Sequence, residues 1–420
     1  MVNLDAFDLD PLDSALAVLL STERGRQDPY PSYAELLAKP GLHRSAMGSL
    51  VATRFLDCEV ILKNRRFGHA PATTPADFTT AEQYEAFRQR YPRVAQRAPV
   101  MLELNPPEHS RLRGLVSNVF TRRVVENLRP RITAIVDELL RGLTGKFDVV
   151  SDLAIPLPAL VISELLGIPR DGHYYVIPHI RRIIQAFDTP LPRSQNLDEI
   201  YRATELVEEY FTSIIRSKRA KPEEDLISDL VGVQDSGGKL SEAELISMLL
   251  LLFVAGYESS TNLIANGFHA LLTHPSSVEL LHRDPGSIPL AVEEMLRWDA
   301  PVQLVGRVAL EDAEVSGQVV RKGEQVLLFL GAANRDPAHF SDPDRFSITR
   351  DEGAPLSFST GIHYCLGAPL ARLEAQILFA EMLPLWSRLE PVSAAPVRFR
   401  TNLVLRGVAS LEMHLRTGGR

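Results

Sequence analysis

Hydrophobic residues recur at three- and four-residue spacing along most of the chain, which is the pattern of amphipathic helices. This periodicity predicts helices over residues 129–145, 200–219, 241–273, 286–298 and 366–388. Strand-like runs are fewer, and the best are residues 49–54, 315–320 and 325–330, the last two joined by a turn at Lys322-Gly323. The sequence therefore predicts a mainly α fold with a minor β-sheet region.

The helix predicted over residues 241–273 changes character near its middle. Ser241 and Glu244 form a capping box at its start, but its apolar run over residues 249–254 gives way to Ala255-Gly256-Tyr257-Glu258-Ser259. Glycine costs about 1 kcal/mol in a helix interior, and a carboxylate is costly in a buried stretch. Either the helix reaches the surface at Tyr257, so that Glu258 is solvated and Gly256 is a packing contact, or these residues have a chemical role.

The composition is that of an ordinary globular protein, with 45% hydrophobic and 23% charged residues among 420. No linker-like stretch divides the chain, so a single domain over residues 1–420 is predicted. A formal net charge of -8 argues against nucleic acid or an anionic membrane as partner, since both attract an excess of Lys and Arg. Two cysteines give no disulfide framework, and the N-terminal apolar run over residues 15–20 is far below the roughly 20 residues of a membrane span. We therefore expect a soluble, cytoplasmic protein, and a monomer.

Cys365 is the strongest candidate for chemistry. It lies in Phe358-Ser-Thr-Gly361-Ile-His363-Tyr-Cys365-Leu-Gly367, immediately before the helical pattern of residues 366–388. Helix amides and the helix dipole favour a thiolate at this place, and the two glycines let the backbone approach a flat ligand. On the residue alone, a buried free cysteine is the alternative, since that is what most lone cysteines are.

The pattern F-x-x-G-x-H-x-C-x-G resembles the haem-binding loop of the cytochrome P450 family, with Ser359 where the commoner form has glycine. Residues 255–259 likewise resemble the family's distal helix motif, commonly A-G-x-[DE]-T, with Ser259 in place of threonine. The resemblance implies the cytochrome P450 fold, in which haem b lies between the long distal helix and the loop of the cysteine ligand. It implies Cys365 as the axial thiolate ligand of the iron and Gly367 as a cofactor-binding residue.

The same resemblance gives roles to the distal residues. Ala255 and Gly256 are expected to line the groove where O2 binds, and Glu258 and Ser259 to form the acid and alcohol pair that relays protons. Serine keeps the hydroxyl but lacks the methyl that restricts the threonine rotamer. The hydrogen bond of Ser259 is therefore expected to be less fixed.

Two further sets of charged residues acquire meaning only from the resemblance. Glu294 and Arg297, an ordinary i, i+3 pair by themselves, resemble with Arg345 the family's structural triad, in which replacing Arg345 should cost about 3 to 5 kcal/mol. The second set matches the partners of the haem propionates, with ordinary surface charge as the alternative for each: His109, Arg113, Arg307 and His363.

The implied function is a monooxygenase that activates O2 with two electrons from a separate ferredoxin or flavodoxin and its reductase. It hydroxylates or epoxidises a hydrophobic small molecule, expected in secondary metabolism. A peroxide-driven peroxygenase and a haem-thiolate binding protein without turnover are the alternatives. The redox partner is expected on the cysteine side, where Arg111 and Arg372 are predicted to be exposed. The substrate is expected to be lined by residues 68–104, 170–195, 251–255, 301–305 and 402–404.

Overall fold

The structure is a computed structural model and describes residues 10–70, 81–184, 197–235 and 240–416. Of the segments predicted to line the substrate, residues 71–80 and 185–195 lie outside the described residues.

The five helices predicted from periodicity are all present, with ends that differ by a few residues. The α-helices are α1 (Pro11–Ser21), α2 (Glu23–Gln27), α3 (Tyr30–Leu37), α4 (Phe55–Lys63), α5 (Ala81–Arg90), α6 (Pro92–Gln96), α7 (Glu108–Val116), α8 (Arg122–Asn127), α9 (Arg129–Gly142), α10 (Pro156–Leu166), α11 (Arg170–Ile184), α12 (Leu197–Ala220), α13 (Leu226–Asp235), α14 (Glu242–Thr273), α15 (Pro275–Arg283), α16 (Ile288–Trp298), α17 (Leu330–Ala333) and α18 (Ala368–Met382). The helix predicted over residues 366–388 is observed as α18, which is followed directly by a 3-10 helix over Leu383–Arg388.

In the part of the chain that the structure describes, the strands are short and form three small sheets. They are β1 (His43–Arg44), β2 (Leu50–Ala52), β3 (Phe67–Gly68), β4 (Gly145–Asp148), β5 (Leu304–Ala309), β6 (Ala313–Val315), β7 (Gln318–Val320), β8 (Gln325–Phe329), β9 (Leu389–Pro391) and β10 (Glu412–Leu415). The largest sheet has the order β1-β2-β8-β5-β3, in which β2 and β8 are parallel and the other pairs antiparallel. A mainly α fold with a minor β-sheet region is confirmed.

The predicted strand over residues 315–320 is wrong. Ser316 and Gly317 have φ of 49° and 76°, so they form a two-residue hairpin turn that pairs β6 with β7. The predicted turn at Lys322-Gly323 does not join two paired strands, because β8 pairs with β2 and β5 instead of β7. The strand predicted over residues 49–54 is also shorter, since α4 begins at Phe55.

The chain divides into two compact units that are each built from separated segments. Unit 1 is Met1–Gly68, Val125–Leu157 and Ser259–Arg420, and unit 2 is His69–Val124 and Pro158–Glu258. Unit 1 contains all three sheets. Its hydrophobic core packs α4 against the largest sheet, and a second cluster places α1 and α3 on the same sheet. The single-domain organisation stays a prediction.

Unit 2 is helical. Helix α12 packs against α11, α13 and the short helix α6. Tyr91 donates a hydrogen bond to Asp198, and Arg90 forms an ion pair with the same carboxylate at 2.7 Å. The α5–α6 segment is thereby fastened to the start of α12.

Helix α14 is the longest element, with 32 residues. The predicted capping box is confirmed, because Ser241 N–H donates to Glu244 Oε2 at 2.8 Å and Glu244 N–H donates to Ser241 Oγ at 3.2 Å. By length and composition it is apolar enough to cross a membrane, but 72% of its most apolar window is buried inside the protein. Burial of this extent is typical of a core helix.

Candidate active site

Cys365 lies in a short irregular loop that leads into α18. Its backbone N–H donates to the carbonyl of Phe358 at 2.9 Å, which closes the loop formed by residues 358–367, here called the cysteine loop. Gly367 is the cap residue of α18, so the thiol lies two residues before the cap of this helix. The helix amides and dipole favour a thiolate at this place.

The other cysteine has a different environment. Cys58 is 0% exposed and belongs to the hydrophobic core of unit 1. Burial, together with the charges of Asp57 and Asp336, raises the pKa of the Cys58 thiol well above its usual value. Cys58 is therefore a neutral packing residue, whereas Cys365 is half-buried.

Glycines shape the cysteine loop in two ways. Gly361 has φ of 71°, a conformation that residues with a side chain rarely adopt. A Cβ there would also lie 2.3 Å from the carbonyl oxygen of Leu62 in α4, so close packing requires glycine as well. A Cβ on Gly367, in contrast, would meet no described protein atom within 4 Å. The sequence predicted that both glycines let a flat ligand approach the backbone. The open space at Gly367 agrees with that role, whereas Gly361 is explained by its contact with α4.

Ser359 stands where glycine is commoner, and its backbone is strained. Its φ of 58° and ψ of -164° lie in a region that side chains rarely adopt. Its Oγ is buried. Such a conformation costs of order 1–3 kcal/mol, so the rest of the loop must hold it in place.

The predicted triad exists as a buried network, but one of its members differs. Arg297 is 2% exposed and donates through all three nitrogens: to both carboxylate oxygens of Glu294 and to the carbonyls of Asn334, Pro343 and Arg345. The Arg345 side chain itself is exposed. Arg350 takes its place, with Nε 3.3 Å from Glu294 Oε2.

The prediction that the Arg345 side chain belongs to the triad is therefore wrong. Only the backbone carbonyl of Arg345 takes part in the network. Asp342 has φ of 42°, which turns the chain just before Arg345. Arg350 lies five residues further on, and its guanidinium also donates to the carbonyls of Ser341, Asp342 and Arg345. Sequence reasoning missed Arg350, because nothing in Arg345-Phe-Ser-Ile-Thr-Arg350 marks which arginine is buried.

Arg307 and His363, both in unit 1, are buried. The Arg307 guanidinium on β5 donates to the carbonyl of Gly306 at 2.8 Å, and no carboxylate of the described residues lies within ion-pair distance of it. Burial lowers the pKa of Arg307 to about 10, so the group is still a cation at neutral pH. A buried cation without a protein counter-ion is a site for an anionic group. The alternative of surface charge is wrong for both residues.

His109 and Arg113 lie one turn apart on α7 in unit 2. His109 is buried and Arg113 is half-buried. Burial, and then the charge of Arg113, lowers the pKa of His109 below its usual value, which favours a neutral imidazole at neutral pH. Surface charge is therefore the wrong interpretation of His109.

Helix α14 does not reach the surface at Tyr257. Tyr257 is fully buried, and Glu258 is only 4% exposed. Leu251, Ala255 and Ser259, four residues apart on one face, are less buried than their neighbours, and Ala255 is exposed. A Cβ on Gly256 would lie 3.2 Å from Ile162 Cδ1, so the packing contact considered for this glycine is present.

Known proteins share both the sequence and the fold. A sequence profile of the family described as Cytochrome P450 matches residues 288–407. The chain is 40% identical to cytochrome P450 CYP107DY1 of Priestia megaterium, over 86% of this chain and 88% of that protein. It is 40% identical to the polyketide biosynthesis cytochrome P450 PksS of Bacillus subtilis, over 75% of this chain and 77% of that protein. The chain belongs to the cytochrome P450 family.

A solved P450 structure extends this result to the fold. Ligand-free CYP164A2 of Mycobacterium smegmatis is 35% identical, with a TM-score of 0.85, and the match covers 96% of this chain and 99% of that one. Cytochromes P450 are haem-thiolate enzymes that incorporate oxygen into their substrates. This chain is therefore an oxidoreductase of that class, and its cofactor is haem with a cysteine ligand.

The residues of this P450 fit a haem. Arg307 is a buried cation without a described carboxylate partner, as an anionic propionate requires. Gly367 has no described protein neighbour on its side-chain position, and Leu251 and Ala255 give α14 an accessible apolar face. The two features of unit 1, Arg307 and Gly367, match the anionic edge and an apolar face of the group, and the α14 residues give unit 2 an apolar face of its own.

The expected docking residues have protein partners in this P450. Arg372 was predicted to be exposed, but its side chain is 23% exposed and binds the carboxylate of Glu293. Arg111, in unit 2, is exposed and forms an ion pair with Glu244. Tyr364, next to Cys365, is a large exposed aromatic side chain of the cysteine loop.

Glu374 on α18 is a buried acid that the sequence did not single out. It is 2% exposed, and its Oε2 has no hydrogen-bond partner among the described residues. Burial raises the pKa of Glu374 to about 8, although a hydrogen bond with Ser260 opposes the rise. In the folded protein the Glu374 carboxyl therefore keeps its proton up to about pH 8, whereas in the unfolded chain it loses the proton above its ordinary pKa of 4.5.

This proton predicts a pH dependence of stability. Between about pH 4.5 and pH 8 the native state binds more protons than the unfolded state, so Glu374 makes stability fall as pH rises, by up to about 1.4 kcal/mol per pH unit. In Glu374→Gln this contribution is absent, so the variant should gain stability over the wild type as pH rises through this window. Urea unfolding at several pH values measures the difference, with Glu381→Gln, exposed on the same helix, as control. Parallel curves for Glu374→Gln and wild type would contradict the prediction.

Proposed function

We propose that this P450 hydroxylates or epoxidises a hydrophobic small molecule, using O2 and two electrons from a separate ferredoxin or flavodoxin and its reductase. The strongest support for the choice of metal ligand comes from the different environments of the two cysteines. Of the two cysteines, Cys58 is a core residue, and Cys365 lies in a loop at the start of α18. We assign Cys365 as the axial thiolate ligand, with Gly367 against the cofactor.

The remaining cofactor contacts follow from charge and burial. Arg113, Arg307 and His363 are assigned to the haem propionates, and His109 joins them as a neutral hydrogen-bonding group. The haem-thiolate group supplies the activation of O2 and the transfer of one oxygen atom to substrate, the other leaving as water. The protein's own residues orient the substrate and move the protons.

We assign proton movement to the Glu258 carboxyl and the Ser259 hydroxyl, with Ala255 and Gly256 lining the O2 groove. Glu258 is buried on α14, where a carboxyl group is costly to place. Ser259 follows it directly and belongs to the less buried face of the helix. This pair favours O2-dependent turnover over the two alternatives, since a binding protein needs no proton relay and peroxide already carries its protons.

The substrate class is supported by an apolar surface and by a relative. Leu251, Val254 and Ala255 are accessible along α14, which suits a hydrophobic molecule. PksS carries polyketide biosynthesis in its name, which supports a natural product of secondary metabolism. We place the enzyme in the cytoplasm as a single-domain monomer, with the redox partner on the side of the cysteine loop and no nucleic-acid or membrane partner.

Turnover with two electron sources tests the proposal. With ferredoxin, its reductase and NADPH, a substrate found by its low-spin to high-spin change should be oxidised at the expense of O2. Hydrogen peroxide alone should give little product. Oxidation only with peroxide would establish the peroxygenase alternative, and a spin change without product under either condition would establish the binding protein.

Ser259 variants provide the matched control of the relay. Ser259→Ala, which lacks the hydroxyl, should consume NADPH but yield less product per NADPH, whereas Ser259→Thr should keep or raise that ratio, because its methyl restricts the rotamer. Equal ratios in the two variants would remove Ser259 from the relay.

A further inference from the structure

Arg372 on α18 touches three groups of unit 1. Its Nε and Nη2 donate to the two carboxylate oxygens of Glu293 on α16, the second at 2.9 Å. Its Nη1 lies 3.2 Å from the hydroxyl of Tyr364. Its guanidinium carbon lies 4.5 Å from the ring centroid of Phe358. One cation is thus held by a carboxylate, a phenol and an aromatic face.

Two of these contacts hold the cysteine loop, one at its first residue and one next to the thiol. Phe358 begins the loop, and its carbonyl accepts the backbone N–H of Cys365. Tyr364 directly precedes Cys365 in the chain. Arg372 therefore bridges, with one planar group, the first residue of the loop and the residue that directly precedes the thiol.

The ion pair is only partly exposed to solvent, so its charges are screened less than those of a fully exposed pair. The Arg372 and Glu293 side chains are 23% and 29% exposed. Burial disfavours the cation, but the hydrogen bonds that Arg372 donates to Glu293 and Tyr364, with the negative charge of Glu293, outweigh burial and raise the pKa of Arg372 above its usual value. The guanidinium remains charged at every working pH, and a partly buried charge is screened less than one in water.

We propose that Glu293 and Arg372 are a positioning pair that sets the reduction potential of the haem iron through the cysteine loop. Arg372 places a positive charge against Phe358 and Tyr364, and Glu293 balances that charge. The inference rests on the proposed function in one respect, namely that Cys365 is the iron ligand. The electron comes from the redox partner, and the pair takes up none.

The sign of the charge separates this role from a simple structural brace. Arg372→Gln leaves the negative charge of Glu293 beside the loop, which favours the ferric state and lowers the potential. Glu293→Gln leaves the positive charge of Arg372, which favours the ferrous state and raises the potential. The double variant removes both charges and should return close to the wild type. A brace without electrostatic effect would shift both single variants in the same direction, since each loses the same contact.

The experiment is a redox titration of the haem-loaded protein, followed by the absorption of the reduced, carbon monoxide-bound form. We expect each single variant to change the ferric–ferrous equilibrium by about tenfold in opposite directions, which is about 59 mV for one electron. The matched controls are Arg283→Gln and Glu279→Gln, which alter the same charges in an exposed pair on α15. They should leave the potential unchanged.

Conservative variants keep the proposal testable if a glutamine variant fails to bind haem. Arg372→Lys and Glu293→Asp retain the charges, so each should stay closer to the wild-type potential than the corresponding glutamine variant. Shifts of both glutamine variants in one direction, or no shift in either, would overturn the proposal while the red-shifted Soret band of the wild type stays intact. Absence of that band in the wild type would instead refute Cys365 as ligand, so the two failures are distinguishable.

Discussion

A Cys365→His protein should lose the strongly red-shifted Soret band that the reduced, carbon monoxide-bound wild type is expected to show. The shift requires a thiolate ligand, which pushes electron density into the iron, and imidazole supplies none. The chain has only one other cysteine, and its burial in the core of unit 1 keeps it neutral. No other thiolate is available to restore the band.

Cys58→Ala is the matched control. It removes a thiol whose one hydrogen bond within the described part of the chain is a weak one to the carbonyl of Ala52 at 3.5 Å. The small cavity that results lies in the hydrophobic core around α4. This variant should be slightly less stable and keep the band at its wild-type position. A Cys365→His protein that retained the band, or a Cys58→Ala protein that lost it, would exclude Cys365 as ligand.

Structural features formed by residues close in sequence could be predicted from the sequence alone. The α14 capping box joins Ser241 to Glu244, three residues apart, and it forms as expected. The hairpin turn at Ser316-Gly317 was missed because apolar residues on both sides read as one continuous run. The glycine there was the available signal, since a two-residue turn of this type needs positive φ.

Contacts between segments that are distant in sequence were predictable only where the family's sequence motifs indicate them. The pattern indicated an acidic and basic network around Glu294, but it could not decide between Arg345 and Arg350, which lie on one irregular segment. That choice depends on the backbone turn at Asp342. Glu374 gave no signal at all, because burial of one polar residue on an amphipathic helix depends on the helices packed around it. The same holds for Glu293, whose partner lies 79 residues away.

Arg297→Met should cost about 3–5 kcal/mol of unfolding free energy, because it leaves the buried Glu294 carboxylate without its main partner. The three carbonyls of Asn334, Pro343 and Arg345 lose a donor in the same change. Arg350→Met should cost less, about 1–3 kcal/mol, since Arg297 still binds Glu294. Urea unfolding midpoints of the haem-loaded proteins measure both.

Arg345→Met is the matched control for these two changes and separates the observed network from the predicted one. Its side chain is exposed, and the carbonyl that accepts from Arg297 and Arg350 is backbone and survives the substitution. Its stability should therefore stay within about 0.5 kcal/mol of the wild type. A loss at Arg345 that equals the loss at Arg350 would restore Arg345 to the network, because only a buried ionic contact of its side chain produces an effect of that size.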